Sequence, residues 1–201
     1  SQEGMAHIAM AICDPGDVVL VPNPGYPVFT AGPFLCGAKV ETYDLHPENN
    51  FLIEFDKIPE EQARRAKMMI VSYPLNPVCV TAPDSFYEEL ITFAKKYNII
   101  ILHDNAYSDI IYGGRVGKSF LSFRGARDVG VEFYSLSKSY NYTGARMSFV
   151  VGNQAVIDKF KNVRSQIDYG IFLPVQYGAI AALTGPQDAV KAQCEEYDRR
   201  N

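Results

Sequence analysis

Three histidines and four cysteines are all the imidazole and thiol ligands in this 201-residue chain, and neither set is spaced to bind a metal. His7, His46 and His103 lie far apart, and Cys13, Cys36, Cys79 and Cys194 form no C-x-x-C pair. The usual zinc patterns are therefore excluded, a disulfide framework is disfavoured, and a reducing, cytoplasmic setting is expected. No apolar run approaches the roughly 20 residues that a membrane-crossing helix needs. Charge is balanced toward the acidic side, with 19 basic against 23 acidic residues and a net charge of −4. That balance offers no basic surface for nucleic acid or anionic lipid. No G-x-G-x-x-G follows the first strand-like run, which weighs against a nucleotide-binding Rossmann domain.

The chain does have apolar content, 47% hydrophobic and 12% aromatic, enough for one domain with a core. It opens inside a helical pattern, SQEGMAHIAMAI, without an initiator Met or a signal peptide, and closes on a charged helical run, DAVKAQCEEYDRRN. The expectation is that residues 1–201 form one domain of a longer protein.

Apolar runs rich in β-branched residues and bounded by turn formers predict strands at 18–22, 38–43, 67–73, 99–103, 131–136 and 147–152. Helical spacing predicts an opening helix ended by the DPGD turn at 14–17, then helices at 84–98, 154–167 and 175–183. Asp84 is the expected N-cap of the helix at 84–98, and Lys95 and Lys96 suit its last turn. The glycine-rich connection at 112–130 is expected to wrap the surface or touch a ligand. The EEQARR and EEYDRR runs read as solvated helix faces. Alternating helix and strand predicts an α/β, three-layer α-β-α domain with a mainly parallel sheet. The final strand follows its predecessor after about ten residues with no evident helix, so it is free to run antiparallel.

Open α/β sheets bind ligands beyond the carboxyl ends of their strands. Four such ends carry polar or aromatic residues. PNPGYP brings Tyr26, YPLNP brings Asn76, HDNAY brings Asp104 and Tyr107, and SLSKSYN brings Ser135, Ser137 and Lys138. A lysine amine condenses with the aldehyde of pyridoxal 5′-phosphate to an imine. A carboxylate keeps the cofactor's ring nitrogen protonated, and the ring then accepts electrons. Phosphate calls for an arginine fork, hydroxyls and helix N-terminal amides. Each residue also has a plainer reading: a solvated lysine, Asp104 as a helix cap, Tyr26 as core, Asn76 as a turn residue, and Cys79 as a small buried hydrophobe.

With S-L-S-K followed by Y-N-Y-T-G-A-R at 140–146, together with D-N-A-Y and N-P, the chain resembles the fold-type I, class I/II pyridoxal-phosphate aminotransferases. The resemblance spans the whole chain. Within that group, the stretches at 1–29 and 163–186 look most like LL-diaminopimelate aminotransferases. It implies the large cofactor domain of the aspartate-aminotransferase-like fold, with a smaller C-terminal domain and an N-terminal segment outside residues 1–201. It also implies a homodimer, and an amino acid and a 2-oxo acid as substrates. By the same resemblance Lys138 would carry the cofactor and move the substrate proton, and Asp104 would pair with the ring nitrogen. Tyr107 and Asn76 would reach the phenolic oxygen, and Tyr26 would stack on the ring. Ser135, Ser137 and Arg146 would hold the phosphate, helped by Ser1 and Gln2. Two departures stand out. NPVC at 76–79 replaces the family's N-P-T-G, and Ala145 and Ser148 replace its aromatic and glycine. Related chemistries of the same cofactor, such as C–S lysis or a regulator domain that binds it without turnover, remain the alternatives.

Overall fold

Parallel strands need crossovers of a dozen or more residues, and the helical segments between the apolar runs supply them. The computed structural model describes residues 1–201 except Tyr112, Gly114 and Val116. Its six strands are β1 (Val18–Asn23), β2 (Lys39–Asp44), β3 (Ala66–Ser72), β4 (Ile100–Asn105), β5 (Gly130–Ser135) and β6 (Ser148–Gly152). They form one sheet in the order β2-β1-β3-β4-β5-β6. The first five run parallel and β6 pairs antiparallel with β5, Ser135 facing Ser148. All six sequence-predicted strands form, with ends shifted by at most about two residues.

Among the described residues the helices are α1 (Gln2–Ile12), α2 (Val28–Leu35), α3 (Glu60–Arg65), α4 (Asp84–Tyr97), α5 (Ala126–Val129), α6 (Leu136–Ser139), α7 (Gln154–Ile167), α8 (Leu173–Thr184) and α9 (Asp188–Arg200). α1 packs with α2 and α7 on one sheet face, where Phe133 of β5 meets Phe160 of α7 edge-on. α4 covers the other face, its Tyr87 against His103 of β4. The core between these layers is built from fully buried Leu20, Met68, Met69, Ile70 and Leu90. The expected three-layer α-β-α architecture is therefore observed.

Two helical details differ from expectation. Pro83, not Asp84, is the N-cap of α4; Asp84 opens the helix and accepts from Lys118 Nζ (2.5 Å). α2 was invisible to periodicity because VFTAGPFL is apolar nearly throughout and carries Pro33. It forms because Gly32 lets it lie against α1, where a Cβ would come within 2.9 Å of the Met5 carbonyl. The connection at 112–130 contains Tyr112, Gly114 and Val116, which lie outside the described residues. The part from Ser119 tucks inward and ends in α5.

Candidate active site

Strand order reverses between β1 and β3, and a cleft of about 190 Å³ opens at the carboxyl ends of the strands there. Ser1 and Gln2 enter it from the start of α1, Tyr26 from the turn after β1, and Asn76 from the turn after β3. Asp104 and Tyr107 come from the end of β4, and Ser135, Ser137 and Lys138 from the β5–α6 junction. Arg146 comes from the turn before β6. All ten sequence-predicted site residues thus line one cleft, while their roles are taken up below as proposals.

The local reasons are specific. β4 alternates its faces, so His103 and Asp104 point opposite ways, His103 toward α4 and Asp104 toward the α1 side. Gly4 allows α1 to lie against β5, since a Cβ there would sit 2.5 Å from the Phe133 ring. That close approach brings Ser1 and Gln2 over the strand ends. Ser135 caps α6 by accepting from the Ser137 N–H (3.3 Å). Thr143 Oγ1 donates to the Ser137 carbonyl (2.7 Å), and Arg146 Nη1 donates to the Thr143 carbonyl (2.9 Å). The loop thereby holds Arg146, whose backbone is left-handed at φ 56, at the cleft.

Asp104 is only 8% exposed, and its Oδ1 has no hydrogen-bond partner among the described residues. Burial pushes its carboxyl up to about 6, against the weaker opposing pull of His103. Tyr107 shares a hydrogen bond with the Asn76 side chain; burial raises its phenol, and the bond to Asn76 works against that rise. Tyr26 Oη donates to Gln2 Oε1 (3.2 Å), and the ring is partly exposed rather than core.

On the opposite sheet face lies a polar cluster that sequence reading passed over. Glu132, in the apolar run VEFYSL, is buried and accepts from Ser119 Oγ (2.7 Å), Phe120 N–H (2.7 Å) and Asn105 Nδ2 (3.2 Å). Its partner across the β4–β5 pair is His103, whose Nδ1 lies 3.0 Å away. Burial alone would raise the Glu132 carboxyl, but His103, Ser119 and Asn105 hold it below the usual range. The cluster locks together the strands that deliver Asp104 and Ser135. Ser72 and Thr143 also line the cleft and were not singled out, although Thr143 sits inside the quoted Y-N-x-T-G motif.

Cys79, expected buried, is exposed, and it takes φ 56 where the family pattern has glycine. The turn keeps a glycine-like backbone with a side chain on it. Among the described residues no group of three or more His, Cys, Asp or Glu could hold a metal ion, and no helix is long and apolar enough to cross a membrane.

The family model for aminotransferase class I and II matches residues 1–200. The chain belongs to the class I and II aminotransferases. This family depends on pyridoxal phosphate. The chain is 48% identical over 200 residues to the LL-diaminopimelate aminotransferase of Halothermothrix orenii, covering all of this chain and 51% of that protein. It is 42% identical to the glutamate-pyruvate aminotransferase AlaC of Escherichia coli, covering all of this chain and 48% of that one. The substrate-bound structure of BacF from Bacillus subtilis superposes with a TM-score of 0.96 at 35% identity, over 99% of this chain and 50% of BacF. The chain thus spans about half the length of the curated relatives it matches.

The cleft fits the family's cofactor on its own chemistry. A buried carboxylate oxygen without a donor, raised by desolvation, suits a cationic N–H beside it. Hydroxyls, an amide and an arginine around the same space suit an anionic phosphate and a phenolic oxygen.

Proposed function

We propose that this chain is the large, cofactor-binding domain of a pyridoxal-phosphate aminotransferase that moves an amino group between an amino acid and a 2-oxo acid. The observation that carries the reading is the convergence on one cleft, at the strand-order reversal, of Lys138, Arg146 and buried Asp104, whose Oδ1 has no hydrogen-bond partner among the described residues. When bound, the cofactor supplies an aldehyde and a protonated ring that accepts an electron pair from the amino acid's α-carbon. Asp104 holds the proton on the ring nitrogen by charge attraction. Lys138 would be the residue that carries the cofactor through its amine, and its free amine would be the base that takes the proton from the substrate's α-carbon. Tyr107 and Asn76, a hydrogen-bonded pair, would contact the phenolic oxygen, and Tyr26 would cover the ring face. Arg146, Ser135, Ser137, Ser1 and Gln2 hold the phosphate.

The similarity to LL-diaminopimelate aminotransferases supports LL-diaminopimelate and 2-oxoglutarate as the substrate pair. A glutamate–pyruvate pair is the second reading, favoured by the 42% identity to AlaC. Giving the full-length protein each donor with its acceptor, and following 2-oxo acid consumption, decides between them. Turnover with neither pair would remove both.

The working unit is a homodimer. Supporting this, α8 carries no charged residue, and Phe172 at its N-cap and Leu173, Tyr177 and Ile180 along it are each more than half exposed. A monomeric full-length protein in sedimentation would contradict it. Four free cysteines support a cytoplasmic setting.

A further inference from the structure

The two loops that carry the proposed chemistry are joined by a carboxylate that this chemistry does not use. Asp109 lies two residues beyond Tyr107 in the turn after β4. Its Oδ2 accepts from Tyr134 Oη, one residue before Ser135, and from Ser139 Oγ (2.9 Å), the residue next to Lys138. Helix α9 closes the same junction from behind. Cys194 Sγ donates to the Asp109 carbonyl (2.9 Å), and the neighbouring Gln193 donates through Nε2 to the Lys138 carbonyl (3.0 Å). Gln193 Oε1 also accepts from Asn141 Nδ2 (2.5 Å), fixing a residue whose backbone is left-handed at φ 50.

These ties matter because the Lys138 turn has little stiffness of its own. α6 is four residues long, too short for helical cooperativity to define its position. The lysine amine stands at the end of a flexible stem, so the backbone beneath it sets where the amine can go. Burial and the Asp109 carboxylate both raise the Tyr134 phenol, so it stays a donor through neutral pH.

We propose that Asp109 is a positioning residue that sets Lys138 relative to Tyr107, by binding Ser139 and Tyr134 to the loop that carries Tyr107. The proposal rests on the roles given to Lys138 and Tyr107 above. Asp109 is exposed, and exposed charged contacts add little stability. Its partner Ser139 is buried, so the loss of Asp109 should lower stability modestly and appear chiefly in geometry and rate. A displacement of about 1 Å at a reacting group costs up to about 10²-fold in rate.

The test uses the full-length protein loaded with pyridoxal 5′-phosphate, in wild type, Asp109→Ala, Asp109→Asn and the double variant Tyr134→Phe/Ser139→Ala. Borohydride reduction of wild type comes first. A pyridoxyl label away from Lys138 overturns the functional reading and this proposal together; a label on Lys138 leaves the later outcomes to judge Asp109 alone. Expected for Asp109→Ala and for the double variant are a label still on Lys138, a cooperative urea transition at a somewhat lower midpoint because buried Ser139 loses its acceptor or its hydroxyl, and an altered visible circular dichroism of the bound cofactor. Turnover kcat should fall about 10–100-fold with KM little changed. Asp109→Asn, which keeps one acceptor oxygen, should recover part of the loss. Wild-type kcat and circular dichroism in a folded Asp109→Ala protein would overturn the proposal. So would wild-type values in the double variant, should Asp109→Ala fail to fold.

Discussion

Replacing Asp104 by Asn should stabilise the cofactor-free protein while disabling the loaded one. The carboxyl sits 8% exposed with Oδ1 unpartnered, and burial lifts it from 3.8 to about 6. Because the folded value is the higher one, the charge destabilises the fold above about pH 6. The penalty fades as pH falls toward 3.8 and is absent below that. At about 1.4 kcal/mol per tenfold in proton affinity, the penalty is a few kcal/mol at pH 7 and roughly half that at pH 5. Asn keeps the size and drops the charge, so cofactor-free Asp104→Asn should unfold in urea with about that much extra stability at each pH. In the loaded full-length enzyme the same change removes the partner of the ring nitrogen, and transamination should fall by several orders of magnitude. Asp104→Glu should retain more activity than Asp104→Asn. Equal stability of Asn and wild type at pH 7, or a gain that does not shrink between pH 7 and pH 5, would refute the desolvation argument. Near wild-type turnover in the loaded Asn variant would refute the electron-sink role.

Other outcomes follow from neighbouring features. Arg146→Ala should weaken cofactor retention by about 1.5–3 kcal/mol, the worth of a hydrogen bond to a charged group; equal loss on dialysis of mutant and wild type would contradict this. Cys79→Gly relieves a side chain held at φ 56 and should stabilise the protein by about 1 kcal/mol in urea unfolding. A loss of stability instead would mean that the thiol's contacts outweigh the backbone strain. Glu132→Ala leaves the Phe120 N–H, Ser119 Oγ and Asn105 Nδ2 without their acceptor beside fully buried His103 and should cost about 1–3 kcal/mol or more, measured the same way.

The strands were legible because buried parallel strands are continuous apolar runs, and the antiparallel β6 because the connection from β5 holds no α-helix longer than the four-residue α6 and so no full crossover helix. Tyr26, Asn76, Asp104, Tyr107, Ser135, Ser137 and Lys138 were legible because they lie at or just past strand ends, whereas Ser1, Gln2 and Arg146 came only from the resemblance to the family. Sheet order was not, since nothing local in VVLVP or IIILH states which strand lies beside it. α2 escaped because an apolar helix broken by Gly32 and Pro33 has no polar face to reveal its period. Glu132 escaped because one carboxylate inside VEFYSL reads as a solvent-facing residue until His103 and Ser119 are brought to it by the fold. Asp109 escaped for a similar reason: its partners Tyr134 and Ser139 are 25 and 30 residues away in sequence. The Cys79 departure was visible in NPVC, but its exposure and left-handed backbone were not.

The central claim is that Lys138 is the residue that carries the cofactor, and chemical fixation tests it most directly. The full-length protein is loaded with pyridoxal 5′-phosphate, reduced with borohydride, digested, and mapped by peptide mass. The account predicts a single pyridoxyl adduct on Lys138, lost in Lys138→Ala. An adduct on Lys118, which is held by Asp84, or on Lys159 of α7, with Lys138 unlabelled, would contradict it.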